Sequence, residues 1–119
     1  NNPTGLDQPK EKSLYNCSIE LDQMGEGSYK YRDNWNMLDQ FIVSNALLDK
    51  KATLSAGPVN IFKAEWMNYQ DKKYGPKPNK TYGGPNYYGG YSAHYPLYME
   101  LLVRVVFQFL LPNIFFDSF

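Results

Sequence analysis

The chain has one cysteine and one histidine in 119 residues. Cys17 has no partner for an internal disulfide, and no paired Cys/His spacing exists from which a zinc site could be built. Net charge is missing too: twelve basic and twelve acidic side chains cancel. No global field therefore draws the protein to a polyanion or an anionic membrane, and any phosphate recognition has to be local. Long apolar runs are also absent. The C-terminal LLVRVVFQFLLPNIFF is interrupted by Arg104, Gln108 and Pro112, which leaves no stretch long enough to span a bilayer and predicts a core strand instead. NNPTGLDQPKEK at the start shows no basic-then-apolar leader and reads as a polar loop. Two triplets of glycosylation form, Asn16-Cys17-Ser18 and Asn79-Lys80-Thr81, carry no weight, because such triplets arise by chance. None of this assigns a compartment.

What is present fits one small domain. In SLYNCSIELDQMG the apolar residues are too irregular for a clean helical face, and a short helix is expected before Gly25 and Gly27. SYKYR alternates aromatic and charged residues, DNWN supplies turn formers and MLDQFIVS is mostly apolar. Residues 28–44 therefore read as a hairpin whose second strand is central and buried. NALLDKKATL is a short helical or turn connection, and PVNIFKAEWM a strand, or a strand passing into a helix. From Tyr69 to Pro96 the composition shifts: seven of eleven tyrosines, five of nine glycines and four of eight prolines fall there. Proline lacks a donor and glycine costs backbone entropy, so this segment is expected to be a long loop, ordered by its tyrosines. Strand returns from Leu97 to Phe109, and there is no internal repeat.

Two titratable residues stand out. Asp39 interrupts the apolar MLDQFIVS, and His94 ends the loop just before YPLYMEL. A carboxylate in a buried strand is costly unless it is paired or hydrogen-bonded, and His94 is the natural partner. An imidazole that donates one ring N–H to a carboxylate is held in one tautomer, with its other nitrogen free to face a ligand. General acid–base help from a group so placed is worth about 10²–10⁴-fold in rate. Alternatively, Asp39 caps a turn while His94 merely packs among tyrosines. On spacing alone the two readings stand level.

Several separated blocks, in order, resemble the endonuclease/exonuclease/phosphatase superfamily with its deoxyribonuclease-I-like fold. LDQFIVS is similar to that family's Asp-x-Ile/Phe-x-Val-Ser strand. Ser92-Ala93-His94 followed by YPLYMEL is similar to its closing Ser-Asp-His and hydrophobic strand. YKYRDNWNMLDQFIVSNALL, PNKTYGGPNYYGGYSAH and Ile61-Phe62 resemble a bacterial subgroup, and the resemblance covers roughly residues 13–101. It implies an α/β (α+β) chain equivalent to the C-terminal half of a two-sheet sandwich: mainly antiparallel strands, short helices and a long Tyr/Gly-rich loop. In this reading residues 1–119 form one partial domain and residues 102–119 an atypical apolar tail.

The resemblance also implies roles. The strand aspartate, Asp39, orients the motif histidine, His94, which contacts the scissile phosphate or assists the attacking water. The motif's own aspartate, which supports a divalent metal or the water, is Ala93 here. Mg²⁺ takes near-octahedral oxygen ligation, and alanine offers no side-chain oxygen. The family's metal-binding glutamate and Gly-Asp-x-Asn block have no counterpart in these residues, apart from a resemblance of NNPT to the end of that block. Mg²⁺ is thus the cofactor expected of the family, with no metal ligand identified in this chain. Substrate contacts fall at Lys80, where the subgroup tends to carry arginine, and at Tyr82, Tyr88 and Asn36, each of which fits a merely structural role equally well.

Two functions are compatible with these residues. One is a metal-dependent phosphoesterase, acting on a phosphate-ester substrate of unassigned class and inactive as this chain stands. The other is a non-catalytic module in which the Tyr-Gly loop grips a carbohydrate or a nucleic acid, with Lys72, Lys73, Lys77 and Lys80 clustered beside it. Half a sandwich also leaves a sheet face uncovered, so self-association through that face is expected.

Overall fold

The computed structural model describes residues 12–105. Its strands are short and all its ladders are antiparallel: ten strands pair two by two into five ladders, with short helices between them. This is the mainly antiparallel α/β organisation that the resemblance implied.

Strand β1 (Leu14–Asn16) leads into helix α1 (Ile19–Gln23). Ser18 stands at the helix N-cap but does not cap it; its buried hydroxyl instead accepts the Phe41 N–H at 3.0 Å, tying the helix start to the chain below. The helix stops at Gly25, whose φ of +76° suits a residue without a Cβ. The Gly25 and Glu26 N–H groups then donate to Asp22 and Leu21 carbonyls, closing a Schellman motif.

Strands β2 (Tyr29–Tyr31) and β3 (Asn34–Asn36) form a hairpin that turns through Arg32 at a φ of +56°, but its second strand comes from DNWN, the expected turn, and not from MLDQFIVS. The hairpin is shorter than the sequence suggests. MLDQFIVS is not one buried strand: only β4 (Ile42–Ser44) is regular, and it pairs with β1. Met37 to Phe41 run irregularly, because the Asp39 and Phe41 N–H groups bond to side-chain hydroxyls and the Met37 carbonyl to a side-chain amide, while the Phe41 carbonyl accepts the Cys17 N–H. Asp39 therefore lies in a bend, with its side chain 44% exposed.

A 3₁₀ turn (Asn45–Leu48) connects to β5 (Leu54–Ile61), the longest strand, and another (Glu65–Met67) follows it. The Tyr/Gly-rich segment is ordered, but it is not a plain loop. It holds two hairpins, β6 (Asn68–Asp71) with β7 (Gly75–Pro78), and β8 (Tyr82–Gly83) with β9 (Asn86–Tyr87). Glycine sits at the turns, where Gly75 and Gly84 take φ of +72° and +60°. Prolines 76 and 78 sit on a strand with a single paired edge, where a missing donor costs no second ladder bond.

Strand β10 (Leu97–Val103) pairs antiparallel with β5. The register slips between Met99 and Leu101, so Gly57 and Pro58 together face Glu100 in a bulge. A Cβ on Gly57 would stand 2.8 Å from the Glu100 carbonyl oxygen, which is why the close approach needs glycine. The buried apolar side chains among the described residues are few: Met37, Val43, Ala56, Val59, Met67 and Tyr95. Leu54, Leu101, Leu102 and Val103, at one end of the β5–β10 ladder, are exposed. No helix among the described residues is long and apolar enough to cross a membrane. Strand β10 ends at Val103; the rest of the strand expected to Phe109, from residue 106 on, lies outside the described residues, as does most of the apolar tail.

Candidate functional site

The bend at Asp39 and the end of the Tyr/Gly segment meet. Asp39 Oδ2 lies 2.7 Å from His94 Nδ1. A carboxylate has no proton to give, so the proton in this bond belongs to Nδ1, and in the neutral imidazole Nε2 carries the lone pair. Burial, the largest single influence, pushes the Asp39 carboxyl up. The hydrogen bonds from Ser28 and His94 and the nearby imidazole charge outweigh it and hold the group below its ordinary value. Asp39 is thus an anion that steadies His94 in either protonation state.

Ser28 organises this pair. Fully buried between Gly27 and β2, it donates its hydroxyl to Asp39 Oδ2 at 2.5 Å and accepts the Asp39 N–H at 3.3 Å. Its carbonyl accepts the Tyr95 N–H at 2.8 Å. One residue therefore pins both the aspartate and the chain next to the histidine. Gly27 lets β2 start there, since a Cβ would meet the Asn36 backbone at 2.6 Å. No local pattern announces Ser28; its role comes from contacts with residues distant in sequence.

Tyr95 roots the histidine loop. It is buried, its hydroxyl donates to Asn68 Oδ1, and its ring stacks on Trp35 at 5.8 Å between centroids. Lys63 covers both rings and pairs with Glu26. Trp35 is thus a support beneath the site rather than part of its rim. The Ser92 hydroxyl accepts the His94 N–H at 3.1 Å, which shapes the turn at Ala93.

His94 is about one-third exposed and opens into a cleft of about 480 Å³. Asp39, Gln40 and Ser92 supply its polar lining, and Phe41, Pro96 and Leu97 its apolar wall. The Tyr29 ring lies 5.2 Å from the imidazole, and Lys80 Nζ lies 5.7 Å from that same ring. Asn36, directly opposite Tyr29 in the ladder, turns its amide back to the Asn34 carbonyl. Tyr88 and Lys80 border a second cleft, whereas Tyr82 packs on Tyr87, its partner at the open end of β8–β9, and lines neither cleft.

These residues do not compose a Mg²⁺ site. Near His94 stands one carboxylate, whose Oδ2 already accepts from Ser28 and His94, and Ala93 contributes no oxygen. No group of three or more His, Cys, Asp or Glu side chains converges among the described residues. What the arrangement does offer is an oriented imidazole in an open, partly apolar cleft, able to accept or donate a proton at Nε2.

Among curated proteins and among solved structures none matches the chain. A family model does, over residues 3–103, a span that contains Ser28, Asp39, Lys80 and His94; its description is Endonuclease/Exonuclease/phosphatase family. The chain belongs to the endonuclease/exonuclease/phosphatase family.

Proposed function

We propose that this chain carries the histidine portion of a phosphoesterase site, in which His94 serves phosphate-ester hydrolysis and Asp39 orients it. The observation that carries this reading is the 2.7 Å contact between His94 Nδ1 and Asp39 Oδ2. With Nδ1 occupied, the imidazolium presents Nε2–H to a non-bridging phosphoryl oxygen, and the Asp39 anion stabilises the positive ring. Such help contributes about 10²–10⁴-fold. The family's chemistry draws on Mg²⁺, and the ligands for it do not come from the residues around His94.

Turnover by this chain alone is therefore negligible in the same proposal. The position next to His94 is Ala93, and the remaining metal carboxylates of the family have no counterpart here. Incubation with Mg²⁺ and a chromogenic phosphodiester should give no rate above buffer; a robust Mg²⁺-dependent rate contradicts this part. In a chain extended by a family N-terminal half, Ala93→Asp should restore hydrolysis, and His94→Gln should abolish it again.

Phosphate recognition is testable without turnover. His94 is the chain's one histidine, so its Hε1 proton gives a single imidazole signal. Inorganic phosphate should move that signal in the native chain and leave it in place in Asp39→Ala. An unresponsive signal in the native chain counts against the assignment. A second reading, a non-catalytic binding module, draws its support from the cleft beside Lys80.

A further inference from the structure

Beyond the His94 cleft, the hairpins β6–β7 and β8–β9 enclose a second cleft of about 580 Å³. Its walls include Tyr69 and Tyr88, exposed by 52% and 61%, with Asn79 and Lys80 between them. Two lysines line it, and they are not equivalent. Lys77 bonds the Asp71 carboxylate at 2.5 Å, which neutralises it. Lys80 has no carboxylate within ion-pair distance among the described residues, and its Nζ faces the Tyr29 ring that packs on His94. One unpaired ammonium thus borders the second cleft, with the Tyr29 ring between it and His94. That suits a single phosphate rather than a polyanion, whose binding draws on several cations.

The tyrosines suit what is attached to that phosphate. Tyr88 lies across Gly83, where a Cβ would come within 2.2 Å of its ring. The missing side chain at Gly83 is therefore what seats the ring in the cleft. Lys77 Nζ sits 5.4 Å from the Tyr69 centroid, so the amine is held over that ring while Tyr88 remains half-exposed. A flat, π-bearing group can stack on such a ring irrespective of base identity, and the Asn79 amide and the Asp71–Lys77 pair offer donors and acceptors to its edge.

We propose that this cleft is a nucleotide subsite, in which Lys80 holds the phosphate and Tyr88, seated on Gly83, stacks on the nucleobase. The proposal rests on the phosphoesterase reading of His94 for its placement, and it deepens that reading by naming the substrate class as a nucleotide phosphoester.

The test titrates the native chain with adenosine monophosphate, ribose phosphate and inorganic phosphate, following the His94 Hε1 signal and the tyrosine ring signals together. Adenosine monophosphate should bind about tenfold or more tightly than either of the others, the advantage expected of one stacked base. Tyr88→Ala and Gly83→Ala should each erase that advantage and leave inorganic phosphate binding unchanged, whereas Lys80→Gln should weaken all three ligands. Tyr88 is exposed and Gly83 half-buried beneath its ring, and an unchanged amide spectrum confirms the fold of both variants. Equal binding of adenosine monophosphate and ribose phosphate overturns the proposal, as does an advantage that survives both hairpin substitutions. If inorganic phosphate moves His94 while the base adds nothing, the subsite fails and the phosphoesterase reading stands. If the base advantage depends on Tyr88 while His94 stays silent to every ligand, the subsite stands and the reading of His94 fails.

Discussion

Ser28 and Asp39 exchange two hydrogen bonds through a single hydroxyl, which donates to the carboxylate at 2.5 Å and accepts the aspartate's own N–H at 3.3 Å. Ser28→Ala removes both and leaves Asp39 with His94 as its remaining side-chain partner. Because the carboxylate is half-exposed, water replaces part of the loss. The cost expected is about 1 kcal/mol, within the range for a hydrogen bond, and it reads out as a lower urea midpoint at unchanged slope. A second readout is specific to the site: ¹⁵N spectra should show His94 less confined to the Nδ1–H tautomer.

Acid should destabilise the chain through two aspartates. Asp71 is held at about 2, chiefly by the Lys77 ammonium and then by the Lys73 and Tyr74 N–H groups; Asp39 is also held below its ordinary value. A carboxyl whose folded value is depressed binds fewer protons folded than unfolded, so its stabilisation is complete above the unfolded value and fades as pH falls through the folded one. The loss should run from the ordinary 3.8 down toward about 2. Asp71→Asn should flatten that limb, which pH-dependent urea melts will show; an unchanged limb contradicts the role of the Lys77 pair.

Gly90 is buried where the Tyr/Gly segment closes on itself. A Cβ there would lie 2.1 Å from the Asn79 carbonyl oxygen and 2.6 Å from that of Lys80. The obstructing atoms are backbone, so they cannot swing aside as the Tyr88 ring can from Gly83. Gly90→Ala should cost about 1–3 kcal/mol, as overpacking does, and should separate Lys80 from the histidine loop. Denaturant midpoints will show the cost, and loss of the contact between Lys80 and Tyr29 in ring-proton spectra will show the separation.

The exposed end of the β5–β10 ladder predicts concentration-dependent association. Strand β10 pairs on one edge only among the described residues, and Leu101, Leu102 and Val103 are exposed by 52%, 45% and 65%. An apolar edge strand with a free row of backbone groups is prone to pairing with another chain. Leu101→Lys combined with Val103→Lys should lower the weight-average mass seen by sedimentation at high concentration. Equal masses for the two proteins would place the contact elsewhere.

What the sequence determined by itself was a candidate pair and part of the punctuation. A lone histidine at the close of a glycine-rich stretch and an aspartate in an apolar run made Asp39 and His94 candidates for each other, level on spacing alone with a structural reading, and the fold brings them to 2.7 Å. The glycine–proline clusters marked real turns at Gly75 and Gly84, because turn residues act through their own backbone dihedrals and need no distant partner; DNWN marked its turn one residue late, at Arg32–Asp33, and the rest of it is strand. Tertiary structure decided the rest. The strand expected around Asp39 dissolved into a bend because the buried hydroxyls of Ser18 and Ser28, remote in sequence, capture the backbone N–H groups of Phe41 and Asp39. The Tyr/Gly stretch became two hairpins, since cross-strand pairing outweighs a local composition unfavourable to strands. Whether a lysine is free or spent depends on which carboxylate the fold brings to it: Asp71 reaches Lys77, and no carboxylate within ion-pair distance among the described residues reaches Lys80.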